Sequence, residues 1–511
     1  MINTAIVSFL WSNQNVQILR FYLVDKPRVV LARICDCTDA LREVVEGAGS
    51  RLQPLEELLS IEDKTCIELL ATEKRKSFCS LKAERGWLEF CKKFGLDAGE
   101  FWNVVDKTVE ARLTDSIAMI EALDIAREKY SIDILVLSED QTCLSRIVTE
   151  WAKCHSVPSL QLVHGAGLSE CPPLHSDELA AYGQRTVEGF LDCGTSPDRI
   201  HLTGNPSWDV YPEIKMNRAK LREKIWKKYD LIPDAPLLVF GTTWSAFLTA
   251  SCDPDLYEKS IRDFFQTCKI LFEDGCPLNI IIKDREPNFS YGNECVAQIA
   301  ENIGLPSDSY RYTVEDTQSL VVAADCLASV DSNLSIEAMM CGTIAINLVY
   351  EFGLRNGPSF SGNSGILNVV PHELYLVMEK ILKDASMREN IKKLMEERSY
   401  YYNVGNAGGS AEKVACLMTD MVRLRNPLIA ERDSLLQEKQ RLKIENDSLV
   451  QDKLLLTRKI EAVTNSLSWR LTCPLRSRLI RTFRSLIKAR LLALQQNLWG
   501  PPRRSGRDPS V

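Results

Sequence analysis

Short apolar runs alternate with amphipathic stretches through the middle of the chain. Residues 132–137 (IDILVL) form a β-rich run, and a polar turn separates them from a stretch of helical periodicity over residues 144–154. Similar apolar runs recur at residues 158–163, 236–244 and 278–284. Strands that alternate with helices in this way form parallel βαβ units, whose ligands bind beyond the carboxyl ends of the strands. The pattern predicts an α/β fold with two Rossmann-like lobes.

The boundary between the lobes is expected near residues 203–212. A charged helical connector follows Asn205-Pro206, and the second α/β series begins at Pro236. A chain of 511 residues is too long for one compact core, so it requires two domains or more. We assign an N-terminal lobe to residues 1–205 and a C-terminal lobe to residues 206–425. Up to about residue 130 the pattern is mainly helical and polar, with short strand candidates.

The pattern changes after residue 426. An apolar residue recurs every seven positions through a highly charged stretch, at Leu428, Leu435, Leu442, Leu449, Leu456 and Val463. This heptad repeat predicts a coiled coil over residues 426–467, with self-association through residues 428–467. A long solvated helix packed on its own protein is the alternative. Residues 468–499 have a basic amphipathic pattern, and residues 500–511 are predicted to be disordered.

Charge is distributed unevenly along the chain. Residues 469–511 carry nine Arg, one Lys and one Asp, a net charge of +9 in a chain whose net charge is -7. Such an end is typical of a separate interaction tail, and basic amphipathic helices lie in the interface of anionic membranes. We therefore expect residues 470–495 to bind the anionic inner-membrane surface, and we expect no nucleic-acid partner. A helix that packs on a partner protein is the alternative.

The composition is that of a globular protein, with 45% hydrophobic and 26% charged residues. Its 17 cysteines are scattered mostly singly, without the spacing of a zinc site, which predicts no metal and a reducing compartment. The first residues lack a signal-peptide pattern, and no window reaches the roughly 18 apolar residues that a membrane span requires. These features predict a cytoplasmic protein, peripheral on the inner face of the cytoplasmic membrane.

Candidate catalytic residues follow two strands of the first lobe. The run LVHGAG places His164 at the end of a buried strand, before glycines that allow a ligand to approach the backbone. Glu139 and Asp140 follow the preceding strand. Any of the three could act as a general base, because the ends of neighbouring parallel strands meet at one edge of the sheet. For His164, a satisfied structural histidine is the alternative.

Candidate phosphate-binding residues follow two strands of the second lobe. The loop FGTTWS offers Gly241, Thr242 and Thr243, whose backbone N–H groups and hydroxyls suit phosphate oxygens. Lys283 and Arg285 end another strand and could neutralise a diphosphate leaving group without a metal ion. A surface ion-pair cluster is the alternative for the two cations.

The segment SVDSNLSIEAMMCG places polar residues at a helix N-terminus. Ser332, Asn333 and Ser335 lie where free N–H groups and the helix dipole favour phosphate. Glu337, one turn into the helix, could accept hydrogen bonds from ribose hydroxyls. Simple N-capping explains the same residues equally well.

Taken in order, these segments over residues 132–420 resemble the GT-B-like superfamily. That superfamily includes bacterial polysaccharide transferases, CDP-glycerol glycerophosphotransferases and UDP-GlcNAc 2-epimerases. The resemblance implies that His164 lies in a cleft between the lobes, and that Lys283, Ser332 and Glu337 contact the donor nucleotide without a metal or a cofactor. One departure is the sequence 283–286 (KDRE), where many relatives have Lys-x-His-Pro. The segment 466–476 (SLSWRLTCPLR) resembles one that follows coiled coils in O-antigen and capsule glycosyltransferases.

The expected activity is metal-independent transfer of a sugar from a nucleotide-sugar donor to a lipid-linked or growing surface polysaccharide. The N-terminal lobe would bind the acceptor and the C-terminal lobe the nucleotide sugar. A nucleotide-sugar epimerase or a CDP-glycerol-type glycerophosphotransferase is the first alternative. A catalytically degenerate scaffold, whose coiled coil recruits partner enzymes, is the second.

Overall fold

The computed structural model describes two units of the chain, residues 1–425 and residues 426–511. In the first unit the described residues are 4–10, 12–24, 26–163, 173–243, 255–286, 290–350, 360 and 364–425. In the second unit they are residues 439, 441, 443, 448, 450, 451, 453, 457 and 458.

The first lobe is built on a parallel sheet of seven strands in the order β3-β2-β1-β4-β5-β6-β7. Its strands are β1 Thr4–Phe9, β2 Val29–Ala32, β3 Arg51–Pro54, β4 Ser131–Leu137, β5 Ser159–Leu162, β6 Glu178–Ala181 and β7 Ile200–Leu202. Its helices are α1 Ser12–Tyr22, α2 Asp39–Gly47, α3 Ile61–Ser80, α4 Arg85–Phe94, α5 Ala98–Lys129, α6 Cys143–Cys154 and α7 Gln184–Asp192. The inner strands are short continuous apolar runs, because helices cover both faces of a parallel sheet.

The second lobe is built on a parallel sheet of six strands in the order β10-β9-β8-β11-β12-β13. Its strands are β8 Leu237–Gly241, β9 Asn279–Lys283, β10 Arg311–Thr313, β11 Cys326–Ser329, β12 Ile344–Leu348 and β13 Leu367–Val369. Its helices are α8 Tyr211–Met216, α9 Arg218–Tyr229, α10 Leu256–Glu273, α11 Gly292–Asn302, α12 Thr317–Ala323, α13 Asn333–Cys341, α14 Leu374–Lys383 and α15 Ala385–Tyr402. In both sheets the strand order reverses beside the first strand of the lobe, which is the arrangement of doubly wound nucleotide-binding folds.

The last helix of the first unit, α16 Ser410–Arg425, returns to the first lobe. Its buried residues Val414, Met418 and Val422 pack with Ile6 and Leu19 in the core of that lobe. The sequence-based ranges assigned this segment to the C-terminal lobe. Its apolar spacing predicts a helix but does not indicate which sheet the helix covers.

Two chain segments cross between the lobes and pack tightly against each other. The Asn403 side chain accepts a hydrogen bond from the backbone N–H of Asn205 at 2.9 Å, and Asp209 accepts from the N–H groups of Ser410 and Ala411. A Cβ atom on Gly204 would lie only 2.8 Å from the Cα of Gly405, so a side chain at this crossing would separate the segments. The two connections therefore form one joint.

The prediction of two Rossmann-like α/β lobes is confirmed. The described residues between 439 and 458 are helical and exposed, while most of the predicted coiled coil lies outside the described residues. The predicted amphipathic helix over residues 468–499 and the tail over residues 500–511 lie outside them altogether. Within the described part of the chain, every helix is too short or too polar to cross a membrane.

Candidate functional site

The predicted donor residues gather at the carboxyl edge of the second sheet. The strand register places Gly241 beside Lys283 on one side and beside Ser329 on the other. Ser329 ends β11, and α13 begins four residues later. The edge therefore brings together the β8 loop, the β9 end and the N-terminus of α13, at the place where the strand order reverses. Ligands of doubly wound sheets bind at this position.

A buried carboxylate, Asp284, ties three strand ends together. Its side chain is fully buried and accepts hydrogen bonds from Thr242 Oγ1 at 2.6 Å and from the hydroxyls of Tyr257 and Tyr312, both at 2.8 Å. The backbone N–H of Arg285 donates to it at 2.8 Å. Charge-assisted hydrogen bonds of this kind are about twice as strong as neutral ones. Asp284 thus fixes the positions of the β8 loop and of the two predicted phosphate-binding cations.

Two cations flank this carboxylate. Lys283 donates from Nζ to the backbone carbonyl of Asp284 at 2.6 Å. Burial lowers the pKa of Lys283, and the charge of Asp284 acts in the opposite direction. Burial also lowers the pKa of Arg285 to about 10, again opposed by Asp284. Arg285 therefore remains a cation at neutral pH, and an anion bound at this edge would stabilise the charged forms of both side chains.

Helix α13 begins directly above the sheet edge. Ser332 caps it by accepting from the N–H of Leu334 at 3.3 Å, and Asn333 is its first residue. Ser335 lies 3.0 Å from the Ser329 hydroxyl and is fully buried, so its side chain faces the sheet. A Cβ on Gly241 would lie 2.5 Å from Leu334 Cδ1, so the glycine lets the helix start approach the strand. Thr243 is buried beside this glycine.

Glu337 connects the site to the joint between the lobes. The Tyr211 hydroxyl, from the first turn of α8, donates to Glu337 Oε2. Burial raises the pKa of Glu337 to about 7, while hydrogen bonds from Tyr211 and Trp208 and the charge of Lys283 act to lower it. At neutral pH this carboxyl is therefore present in both protonation states, next to the predicted phosphate site.

Glu139, the first acidic candidate of the first lobe, is held by local hydrogen bonds. Glu139 accepts from the N–H groups of Gln141 and Thr142 and from the hydroxyls of Thr142 and Ser145, at 2.5 to 2.8 Å. Burial acts to raise the pKa of Glu139, but these hydrogen bonds outweigh it and the pKa lies below its ordinary value. A carboxylate that covers the N-terminus of α6 in this way is stabilised as the anion, which makes it a weaker base.

Asp140 anchors the chain before β6. It is fully buried, and its Oδ2 accepts from the N–H groups of His175 and Ser176, both at 2.7 Å. On the other side of the same segment, Arg199 Nε donates to the carbonyl of Asp177 at 2.7 Å. This geometry gives Asp140 a positioning role. His164, the third candidate, lies outside the described residues.

Several residues of the site were not singled out from the sequence. Asp284 lies between the two predicted cations in the sequence, so its position could have identified it as a residue of the site. Tyr257, Tyr312 and Tyr211 come from α10, β10 and α8, and they reach the edge only because the chain folds over it. No local motif marks such side chains. Among the described residues, no group of three or more His, Cys, Asp or Glu side chains is arranged to hold a metal ion.

Comparison with known proteins supports the fold. No family model matches this chain, and no curated protein sequence matches it. Among solved structures, the UDP-GlcNAc 2-epimerase of Neisseria meningitidis bound to UDP-GlcNAc is similar over 83% of this chain and 100% of its own, with a TM-score of 0.50 and 10% identity. A glycosyltransferase of Rickettsia africae is similar over 83% of this chain and 99% of its own, with a TM-score of 0.48 and 10% identity. A variant of the wall teichoic acid polymerase TagF is similar over 83% of this chain and 89% of its own, with a TM-score of 0.48 and 11% identity. The likeness to the first structure shows a shared GT-B-type fold.

Proposed function

We propose that the protein is a glycosyltransferase that binds a nucleotide sugar at the carboxyl edge of its second sheet and transfers the sugar to a lipid-linked or growing surface polysaccharide. The observation that carries the proposal is the convergence of a partly buried lysine, a capped helix N-terminus and a partly buried carboxyl at one topological switch point. Lys283, the start of α13 and Glu337 supply these three groups. Lys283 and the start of α13 suit the diphosphate of a nucleoside diphosphate, and Glu337 suits its ribose.

The diphosphate would be held by charge and by backbone N–H groups. Lys283 and the N-terminus of α13 both favour an anion, and the hydrogen bond from Thr242 to Asp284 keeps the β8 loop beside them. As the glycosidic bond to the donor breaks, negative charge develops on the departing phosphate. Cations already in place stabilise that charge without reorganisation, which lowers the barrier. Metal independence remains part of the proposal.

Glu337 would bind the ribose. An ionised carboxyl has about four acceptor positions, so Glu337 can accept from ribose hydroxyls in addition to its present donors, Tyr211 and Trp208. For the acceptor lobe, the engagement of Glu139 and Asp140 in structural hydrogen bonds favours His164 as the base that removes the acceptor proton.

The wider setting of the proposal comes from the sequence. The resemblance of residues 466–476 to O-antigen and capsule enzymes supports a surface-polysaccharide pathway. The basic pattern over residues 470–495 supports attachment to the inner membrane face, and the heptads over residues 428–467 support self-association. A lipid-linked acceptor would then lie close to the enzyme.

A screen of thermal stability tests the donor assignment. The full-length protein is heated with UDP, GDP, CDP, CMP or dTDP and with the corresponding nucleotide sugars. A ligand at about 100 times its dissociation constant adds about 2.7 kcal/mol, which raises the melting temperature measurably. We expect a selective rise with one base. If every nucleotide leaves the melting temperature unchanged, the enzyme proposal fails and the scaffold alternative gains support.

An epimerase is the second candidate, because the N. meningitidis epimerase of the same fold is bound to UDP-GlcNAc. The stabilising nucleotide sugar separates the two functions. Incubated without acceptor, a transferase leaves it intact apart from slow hydrolysis, whereas an epimerase converts it into a second sugar nucleotide of the same mass. Rapid acceptor-independent isomerisation would contradict the transferase. A CDP-glycerol-type activity would appear as selective stabilisation by CDP-glycerol.

A further inference from the structure

One row of aligned residues runs across the carboxyl edge of the second sheet. The strand register aligns one residue from each strand, in the order Thr313, Lys283, Gly241, Ser329, Asn347 and Asn368. Lys283 and Gly241 belong to the donor site proposed above. Asn347 lies in the same row and is fully buried, although asparagine side chains are mostly exposed in proteins. A buried amide needs hydrogen-bond partners, and its partners show what it holds in place.

The side chain of Asn347 holds the loop that precedes α13. Its Oδ1 accepts a hydrogen bond from the backbone N–H of Asp331 at 2.7 Å, and its Nδ2 donates to Asp331 Oδ1 at 3.1 Å. The same Nδ2 donates to Asn368 Oδ1 at 3.1 Å, and Asn368 donates to the carbonyl of Phe360 at 2.8 Å. Asn347 is therefore fixed from the side of β13, and it fixes Asp331 in turn.

Asp331 has a backbone conformation that few residues other than glycine adopt. Its φ is 41°, in the left-handed region, which aspartate and asparagine tolerate and β-branched residues do not. Such a conformation persists only where its surroundings hold it. The two hydrogen bonds with Asn347 supply that restraint. The direction in which the chain enters α13 therefore depends on Asn347.

Helix α13 begins directly after this restrained residue. Ser332, which follows Asp331, is its N-cap, and the first turn of the helix is the part assigned above to the donor diphosphate. Lys283, in the same row of the sheet, independently favours an anion there. Hydrogen bonds weaken steeply with distance and angle, so both groups serve one diphosphate only if the helix starts at a fixed place relative to Lys283.

We propose that Asn347 is a positioning residue of the donor site. Through Asp331 it sets the start of α13 relative to Lys283, so that the helix and the lysine bind one diphosphate together. Because Asn347 is buried beneath the loop, it acts without touching the nucleotide. The inference rests on the proposed donor site and adds to it a residue that determines its affinity.

Asn279 provides a matched control on the same sheet. It is also buried, and its side chain accepts from the N–H of Ile232 at 2.8 Å and donates to the carbonyls of Ile232 and Ala235 at 2.9 and 3.2 Å. Asn279 begins β9 and Lys283 ends it, so Asn279 lies at the opposite edge of the sheet. Asn279→Ala and Asn347→Ala each remove a buried amide that holds a loop, and only Asn347→Ala should weaken donor binding.

Titration calorimetry of the full-length variants with UDP, CDP, GDP and dTDP tests this difference. We expect the diphosphate that binds the wild type to bind Asn347→Ala more weakly, by roughly fivefold or more, and to bind Asn279→Ala as it binds the wild type. Equal affinity of Asn347→Ala and the wild type would overturn the proposal. An equal loss of affinity in both alanine variants would also overturn it, because the effect would then be a general loss of stability.

Two substitutions of Asp331 test the backbone conformation without removing a buried amide. Asp331 is partly exposed, and Asp331→Asn and Asp331→Val both remove its charge. Asparagine adopts the left-handed conformation, whereas valine is β-branched and does not. We expect Asp331→Val to bind the diphosphate more weakly than Asp331→Asn, again by roughly fivefold or more. Similar affinities of these two variants would contradict a role for the restrained loop.

Failure of the donor site itself would give a different result. If none of the diphosphates binds the wild type, the proposed function fails and the positioning role fails with it. If a diphosphate binds the wild type, Asn347→Ala and Asp331→Val with equal affinity, the donor site stands and only the positioning role of Asn347 is rejected.

Discussion

Replacement of Glu337 by glutamine should make the protein more stable at neutral pH. Burial raises the pKa of this carboxyl to about 7, from an ordinary value of 4.5, despite the hydrogen bonds from Tyr211 and Trp208. Between these two pH values the folded protein holds a proton that the unfolded chain has released. Stability from this group is thus fully present below pH 4.5, falls as the pH rises towards 7, and changes little above that.

The size of the stability difference follows from the difference between the two pKa values of Glu337. At about 1.4 kcal/mol per pKa unit, the difference between 7 and 4.5 corresponds to roughly 3 kcal/mol. Glu337→Gln keeps a carbonyl oxygen for the Tyr211 hydroxyl but cannot ionise. The variant should therefore match the wild type near pH 4.5 and exceed its free energy of unfolding by about 2 to 3 kcal/mol at pH 8. A carboxyl kept at such a cost is typical of a binding or catalytic site.

Urea denaturation at intervals from pH 5 to pH 8 measures this difference. The Tyr211→Phe variant provides a second check, because loss of its hydrogen bond raises the pKa of Glu337 further and extends the fall in stability above pH 7. Parallel stability curves for the wild type and Glu337→Gln would contradict a raised pKa, since they would show that this carboxyl titrates in the folded protein as it does in the unfolded chain.

Three further substitutions test the packing of the site and of the lobes. Asp284→Ala leaves buried hydroxyls without their acceptor and should lower the free energy of unfolding by about 3 to 6 kcal/mol in urea denaturation. Tyr312→Phe should destabilise the wild type but change the stability of Asp284→Ala little, because the acceptor of its hydroxyl is already lost. If the two losses add fully in the double variant, the hydrogen-bond network is contradicted. Asp140→Asn weakens the anchor before β6 and should lower the free energy of unfolding by about 1 to 3 kcal/mol, and an unchanged value would contradict the anchoring role. Gly183→Ala places a Cβ 2.5 Å from the Tyr401 carbonyl and should cost about 1 to 3 kcal/mol by thermal or urea unfolding, whereas Gly47→Ala meets nothing within 4 Å and should be neutral.

The sequence was most informative where apolar runs are continuous. Residues 132–137 predicted β4, and residues 278–284 contain β9, because strands covered on both faces leave a dense apolar signal. The N-terminus of α13 was also readable, since Ser332 is a typical capping residue. Strand β9 and helix α13 form part of the second-lobe edge, so the location of the candidate donor site follows from the sequence.

The sequence was less informative where packing is sparse or distant. Helix α3 buries only Ile67 and Ala71 along 20 residues, so its apolar pattern is weak, and the sequence indicated helices up to about residue 130 without giving their bounds. Helix α16 reads as a helix, but the sheet it covers depends on the path of the whole chain. Glu139 and Asp140 were placed correctly at a strand end. Their hydrogen bonds were not predictable, because those of Glu139 depend on the geometry of the following turn and those of Asp140 on a segment 35 residues away in the sequence.

Titration calorimetry measures directly whether the edge of the second sheet binds a nucleoside diphosphate. We expect one diphosphate to bind the wild type, and we expect Lys283→Ala to weaken this binding at least tenfold, a loss of about 1.4 kcal/mol. Lys269→Ala, which removes a lysine that donates to the Ile303 carbonyl elsewhere in the same lobe, should bind as the wild type does. Equal affinity of Lys283→Ala and the wild type, or no binding of any diphosphate, would contradict a donor site at the edge of the second sheet.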